Sequence, residues 1–263
     1  MTTLSLVIPA YNEEARLPAL LETLAATAGA VIEESGFELL ETLIVDDGST
    51  DRTPEILTNA SQPELKPVLG DGRNRGKGAA IREGCRQAQG DYVLLADVDL
   101  STPLEELTKL GTAIRAGADI AIGSRAVPGA SVERGPAHRK LTGKAFGGTV
   151  RVLTGLRVRD TQNGFKLLPT DLARDLFSVQ LCAGFAYDVE LLMRAELGGL
   201  RIAEVPVLYV HDPRSRVRVG RASMQMLRDV TMLAYRLKPR RSQRIDYPSR
   251  SAVLCDLSTD DPD

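Results

Sequence analysis

The sequence predicts an α/β fold in which a mostly parallel sheet is flanked by helices. Short apolar runs alternate with longer amphipathic stretches from the first residues onward, the rhythm of βαβ units. Paired carboxylates follow directly after two of the apolar runs, where open α/β sheets bind ligands. In 263 residues, 43% apolar and 26% charged, the chain can build one sizeable core or at most two small domains.

Leu4 to Ile8 reads as the first strand, ended by Pro9. Beyond Asn12, Leu17, Leu20, Leu21 and Leu24 repeat at helical spacing, with Glu13 and Glu14 favourably placed in the first turn. Leu39 to Val45 is a second strand, and the loop Asp46 to Asp51 caps a helix that starts near Pro54. A Gly-rich basic loop, Gly70 to Gly78, opens a helix running to about Gln89, and Tyr92 to Ala96 is a buried strand leading into Asp97-Val-Asp99. Thr102-Pro103 caps a helix that turns Leu104, Leu107, Leu110 and Ile114 inward, and Asp119 to Ile122 is the next strand. Pro128 to Gly135 reads as loop, followed by helices around 137 to 154, 170 to 177 and 187 to 198 and a strand at Ile202 to Val207. Residues 212 to 220 are charged and irregular, and 222 to 237 form an amphipathic helix with Met226, Leu227, Val230, Leu233 and Ala234 on one face. The expected division is a catalytic domain over 1–210, a basic loop and amphipathic helix over 211–245, and a disordered acidic tail over 246–263.

Composition narrows the function classes. With Lys+Arg 33 against Asp+Glu 35, the chain lacks the uniform basic surplus of a general nucleic-acid binder. Its Cys residues, 3 in number, show no C-x-x-C spacing, and with 2 His a metal centre built on thiolate or imidazole clusters is not expected. The N-terminus has no signal-peptide pattern, and the apolar runs are far shorter than the roughly 20 residues of a spanning helix. The charge is nevertheless segregated. Residues 199 to 251 carry 12 Lys/Arg against 4 Asp/Glu, while 252 to 263 carry 4 Asp and no base, so an acidic body precedes a basic segment suited to an anionic partner.

Asp46 and Asp47 follow the second strand, and Asp97 and Asp99 follow Tyr92 to Ala96. In extended chain, i and i+2 project to the same side, so Asp97 and Asp99 form a pair of hard oxygen ligands suited to magnesium or manganese on a nucleotide's phosphates. Helix capping and turn formation explain the same placement without a metal. The loop Gly70 to Gly78 is not a Walker motif, since Asp71 and Gly78 stand where Gly and Ser or Thr are required. Arg75 and Lys77 beside Gly76 and Gly78 still make an anion site at a helix start.

In order, Val7-Ile-Pro-Ala-Tyr-Asn-Glu13, Val45-Asp-Asp-Gly-Ser-Thr-Asp51, Asn74-Arg-Gly-Lys-Gly78 and Asp97-Val-Asp99 resemble the signatures of family 2 inverting glycosyltransferases. Gly123-Ser-Arg125, Arg159-Asp-Thr-Gln-Asn-Gly-Phe-Lys166, Phe185-Ala-Tyr-Asp-Val-Glu-Leu-Leu192, Ala203-Glu-Val-Pro206 and the Arg-rich stretch to Arg228 are similar to polyprenyl-phosphate sugar synthases, above all the dolichyl-phosphate β-glucosyltransferase branch. The resemblance implies a GT-A nucleotide-sugar fold. It places Pro9, Tyr11, Glu13, Asp46, Asp47 and Lys77 around the nucleotide, with Asp97 and Asp99 on the metal and Ser101 close by. Arg125, Arg139 and Lys166 become candidates for the acceptor phosphate, joined by Arg214, Arg216 and Arg218 of the basic segment. Asp160, Gln162, Asp188 and Glu190 fall to the sugar side, so that Asp97, Asp99, Arg125, Asp160 and Asp188 are the candidate catalytic set. Val98 replaces the Ala common in relatives.

The implied reaction moves a hexose, above all glucose from UDP-glucose, onto a polyprenyl phosphate, with the protein held peripherally at the inner, cytoplasmic face of the membrane. Alternatives are a GDP-mannose-dependent enzyme, a soluble family 2 transferase with a sugar or polysaccharide acceptor, a nucleotidyltransferase, and a nucleotide-sugar binding module without turnover. His211, just before the Arg-rich stretch, is the histidine whose nearness to the donor phosphates bears testing.

Overall fold

The computed structural model describes residues 1–133, 147–211, 219–237 and 247, with side chains of the last helix described from Met224 onward. Arg139, Arg214, Arg216 and Arg218 lie outside the described residues, as do residues 137–146 of an expected helix and all of the expected acidic tail except Tyr247.

The sheet is built from β1 (Thr3–Ala10), β2 (Glu38–Asp46), β3 (Leu65–Val68), β4 (Tyr92–Leu95), β5 (Ile120–Ser124), β7 (Lys166–Pro169) and β8 (Ile202–Pro206). Its order is β3-β2-β1-β4-β7-β5-β8, and every neighbouring pair is parallel except those made by β7. The mostly parallel α/β sheet is therefore present, with an antiparallel strand inserted between β4 and β5 in a stretch to which the sequence reading gave no element. β7 is four residues long and begins with a lysine, so neither length nor alternation announces a strand. A second, two-stranded sheet pairs β6 (Ser131–Glu133) with β9 (Leu208–Val210), which corrects the reading of Pro128 to Gly135 as loop throughout.

Alternation along the strands feeds two cores, one on each face. Leu6, Ile8, Ile44, Leu94 and Leu167 turn toward α1 (Leu17–Thr23), α2 (Gly29–Glu34) and α5 (Leu107–Arg115). A π-helical turn, Leu24–Ala28, joins α1 to α2, so the first helical stretch runs much further than its leucine heptad suggested. Val7, Val45, Val93, Ile122 and Leu168 turn toward α4 (Lys77–Gln87), α7 (Thr170–Ser178), α8 (Tyr187–Leu197) and α9 (Val219–Leu237). α3 (Thr53–Asn59) follows β2, and α6 covers residues 147–154.

In α9 the inward set is Met226, Val230, Leu233 and Leu237, all buried in the same core as α8. The expected apolar face is thus packed on protein. Leu227, placed on that face from sequence, is 39% exposed and lies on the outer side with Met224 and Tyr235. Tyr247 is buried, its OH donating to the Arg194 carbonyl at 3.4 Å.

Candidate active site

The carboxyl ends of β1, β2 and β4 open into one cleft, and their loops are stitched by side chain to backbone hydrogen bonds. Asn12 takes a left-handed backbone, its N–H donating to Ser49 Oγ (2.8 Å) while its Oδ1 accepts from Thr50 N (2.8 Å). Glu13 N donates to Thr53 Oγ1 at 2.8 Å, and Asp47 N to the Ala10 carbonyl at 2.8 Å. Pro9 and Tyr11 therefore sit on a fixed rim, with Tyr11 exposed at its mouth.

Asp46 and Asp47 are both buried. Asp46 accepts from Ser49 N, closing its own turn. Asp47 accepts from Arg75 N (2.9 Å) and Gly76 N (2.7 Å), drawing the Gly-rich loop onto β2. Burial pushes the Asp47 carboxyl above the usual range, although these two N–H groups pull the other way. The anion at the start of α4 is thus the chain's own. Gly76 has φ +103°, and a Cβ there would meet the Ala183 carbonyl oxygen at 2.6 Å. A cavity of 330 Å³ lies between the ends of β2 and β3, the Gly-rich loop and α4, lined by Asp46, Asp47, Gly70, Asp71, Arg73 and Arg75 together with Arg82, Glu83 and Gln87, and neither Asp97 nor Asp99 lines it.

Asp97 and Asp99 lie beyond β4 in a tight turn, with Leu100 N donating to the Asp97 carbonyl at 3.0 Å, so the extended-chain argument for their pairing is corrected. Leu100 has φ +42°, a strained value for a branched side chain that suits a functional turn. Lys77 Nζ meets Asp97 Oδ1 at 2.5 Å. Burial lowers the Lys77 pKa, but Asp97, Asp188 and Asp99 outweigh it and hold the ammonium above its ordinary value. Burial likewise raises Asp97, yet Lys77, with Lys166 and Arg125, brings its net pKa below the ordinary range. Gly164 is what allows the close approach, since a Cβ there would lie 2.6 Å from Asp97 Oδ2.

Asp99 accepts from Ser101 N (3.0 Å) and faces Arg16 Nη1 at 3.3 Å. Arg16 also grips Glu13, so it links a nucleotide candidate to a metal candidate. Sequence reasoning missed it. Its three-residue spacing from Glu13 was visible, but its partner Asp99 is 83 positions away.

Two hard carboxylates and the buried Ser101 Oγ, which has no partner among the described residues, fit a divalent cation. Among the described residues no three His, Cys, Asp or Glu gather into a fuller set, so the remaining ligands would come from the donor diphosphate or water. The chain before His211 reaches this turn, with Val210 N donating to the Ser101 carbonyl at 2.7 Å.

The other candidates divide by burial. Arg125 and Asp160 form a bidentate pair (2.7 and 2.8 Å), with the guanidinium 4.8 Å from the Tyr209 ring centroid and partly open to the cleft. Burial raises Asp160, but Arg125 overrides it and holds the carboxyl below its usual range. Lys166 is fully buried, its Nζ donating to Asp188 and to the Asn163 carbonyl, while Asp188 is itself 4% exposed. Neither presents a free charged group to a ligand in this geometry. Glu190 accepts from Leu181 N (2.8 Å) and Cys182 N (2.7 Å) and pairs with Arg194, which anchors the loop before α8. Gln162 donates to Met226 Sδ at 2.9 Å, tying the cleft to α9.

The profile of glycosyl transferase family 2 matches residues 5–177. A dolichyl-phosphate beta-glucosyltransferase of Drosophila melanogaster is 35% identical over 240 residues, covering 88% of this chain and 74% of the relative. The human protein of that name is 32% identical over 243 residues, 89% and 75% of the two chains. In solved structures, glucosyl-3-phosphoglycerate synthase from Mycobacterium tuberculosis with phosphoglyceric acid superposes with TM-score 0.64 at 20% identity, over 89% of this chain and 80% of that one. The same enzyme with Mn2+, UDP and glucosyl-3-phosphoglycerate gives 0.59 at 20% identity, over 93% and 81%. The chain belongs to glycosyl transferase family 2.

Proposed function

We propose that this family 2 glycosyltransferase moves glucose from UDP-glucose onto a dolichyl or other polyprenyl phosphate, with inversion and with a divalent metal, at a membrane surface. The observation that carries the reading is the cleft at the ends of β1, β2 and β4, where Asp97 and Asp99 are held in one turn by the cations Lys77 and Arg16. Similarity to dolichyl-phosphate beta-glucosyltransferases along most of the chain supports the acceptor and sugar. The fold shared with an enzyme whose structure holds Mn2+ and UDP supports the metal and the base.

Asp97 and Asp99 would hold the metal, which would supply charge stabilisation to the departing diphosphate. Lys77, paired with Asp97, adds a further cation for the leaving group. A phosphate monoester has its second pKa near ~6, so at neutral pH the acceptor is already largely anionic and needs no strong general base. That removes the chemical demand for Asp188 as a base and agrees with its burial against Lys166. Arg125, half-open and stacked on Tyr209, is the cation best placed to draw one anion toward another.

Among the described residues no helix is long and apolar enough to cross a membrane. In this reading membrane contact falls to a peripheral surface at the cytoplasmic face, where the basic segment including Arg214, Arg216 and Arg218 would meet lipid phosphates. The test is an assay of the purified protein with UDP-glucose and GDP-mannose, a short-chain polyprenyl phosphate, and chelator. Lipid-linked glucose should form from UDP-glucose alone and stop on chelation. Transfer to soluble sugars, or turnover that ignores chelator, would refute the reading.

A further inference from the structure

We propose that Arg16 is a positioning residue that couples metal binding to donor binding, holding Asp99 until the donor's diphosphate offers its guanidinium another anion. The inference rests on the function proposed above. Arg16 is the residue preceding α1, and its side chain is 15% exposed. Its Nε donates to Glu13 Oε2 at 2.6 Å, its Nη2 to Glu13 Oε1, and its Nη1 faces Asp99 Oδ2 at 3.3 Å. Asp99 Oδ1 already accepts from Ser101 N, so both carboxylate oxygens are engaged.

A divalent cation approaching Asp99 meets a fixed positive charge on the oxygen it needs. Lys77 imposes the same condition at Asp97 Oδ1. Metal alone must therefore displace these cations against like-charge repulsion. A nucleoside diphosphate changes the balance, because its oxygens accept the guanidinium fork as well as a carboxylate does. Arg16 can then leave Asp99 without losing its ion pair. Coupling of this kind is reciprocal, so whatever UDP adds to metal affinity, metal adds to UDP affinity.

The consequence is a residue whose removal strengthens one binding step while weakening the link between two. Titration of Mn2+ onto the full-length protein by calorimetry, with and without UDP, reads both. Arg16→Met should bind Mn2+ alone about five- to tenfold more tightly than the wild type, with the gain on adding UDP reduced by the same factor. Arg16→Lys, which keeps the charge but cannot fork between Glu13 and Asp99, should shift in the same direction by less and covers the case where Arg16→Met fails to fold. Arg86→Met, removing an exposed charge paired to Glu83 on α4, should match the wild type. The proposal is overturned if the Arg16 variants bind Mn2+ alone no more tightly, if the gain from UDP is unchanged, or if Arg86→Met has an equal effect. Should the wild type fail to bind Mn2+ even with UDP, the metal-dependent function falls as well.

Discussion

The cleft at the ends of β1, β2 and β4 and the wall formed by β7 and α8 contain the same chemistry, carboxylates paired with basic side chains, in different settings. In the cleft, Asp97 pairs with Lys77 and Asp99 with Arg16 at positions a ligand can reach. In the wall, Lys166 with Asp188 and Arg194 with Glu190 are buried, and backbone groups complete their shells. Partly open pairs can exchange a protein partner for a ligand. Buried pairs cannot give one up without leaving an uncompensated charge. The wall thus holds the cleft in shape, most directly through Asn163 and Gly164, whose backbone lies between Lys166 and the Asp97 carboxylate.

The hardest way to break this contrast is to remove one buried partner. Lys166→Met should cost about 3–5 kcal/mol, a fall in Tm on the order of 10 °C, because Asp188 is left charged and buried. Adding Asp188→Leu should restore much of that loss in thermal denaturation, since an apolar pair of similar volume replaces the ion pair. A Lys166→Met protein as stable as the wild type would show that the wall pair is not structural.

A subtler probe leaves the fold intact and moves the cleft. Gly164→Ala would place a methyl against the end of the Asp97 side chain, which can swing aside. Steady-state kinetics should show kcat lower by about 10²-fold, the cost of misplacing a reacting group by roughly 1 Å, with little change in Tm. Unchanged kcat would separate Asp97 from turnover.

The smallest effect concerns the pair between the two regions, Arg125 with Asp160. Asp160 is held below its ordinary range in the folded protein, so its contribution is complete above the unfolded value of about 3.9 and is lost as pH falls through the folded value. Asp160→Asn removes that contribution. The Tm gap between wild type and variant, measured in chelator, should be widest near neutral pH and close on acidification below about pH 4. A gap that widens in acid would reverse the assigned sign.

How much of this was legible in sequence follows the same division. The carboxylates after strands, the Gly-rich loop and the Asp97-Asp99 pair are local patterns, and the structure links them, with Gly76 N on Asp47 and Lys77 on Asp97. Lys166 carried no local mark of burial, because its partner Asp188 is 22 positions away and the strand it begins is short and antiparallel. Arg16 was hidden for the same reason. In α9 the buried set follows i, i+4, i+7 and i+11 from Met226, a stripe narrow enough that assigning Leu227 to it overshot by one position. Periodicity reports which face is apolar on average, and long-range pairing decides which charges a ligand can reach.

The central claim is a single displacement at the cleft in which the lipid phosphate itself is the nucleophile. The anomeric configuration of the product tests it most directly. Proton NMR of lipid-linked glucose made from UDP-α-glucose and a short-chain polyprenyl phosphate should show a β-glucosyl phosphate. An α-linked product, or free glucose with no lipid adduct, would contradict it.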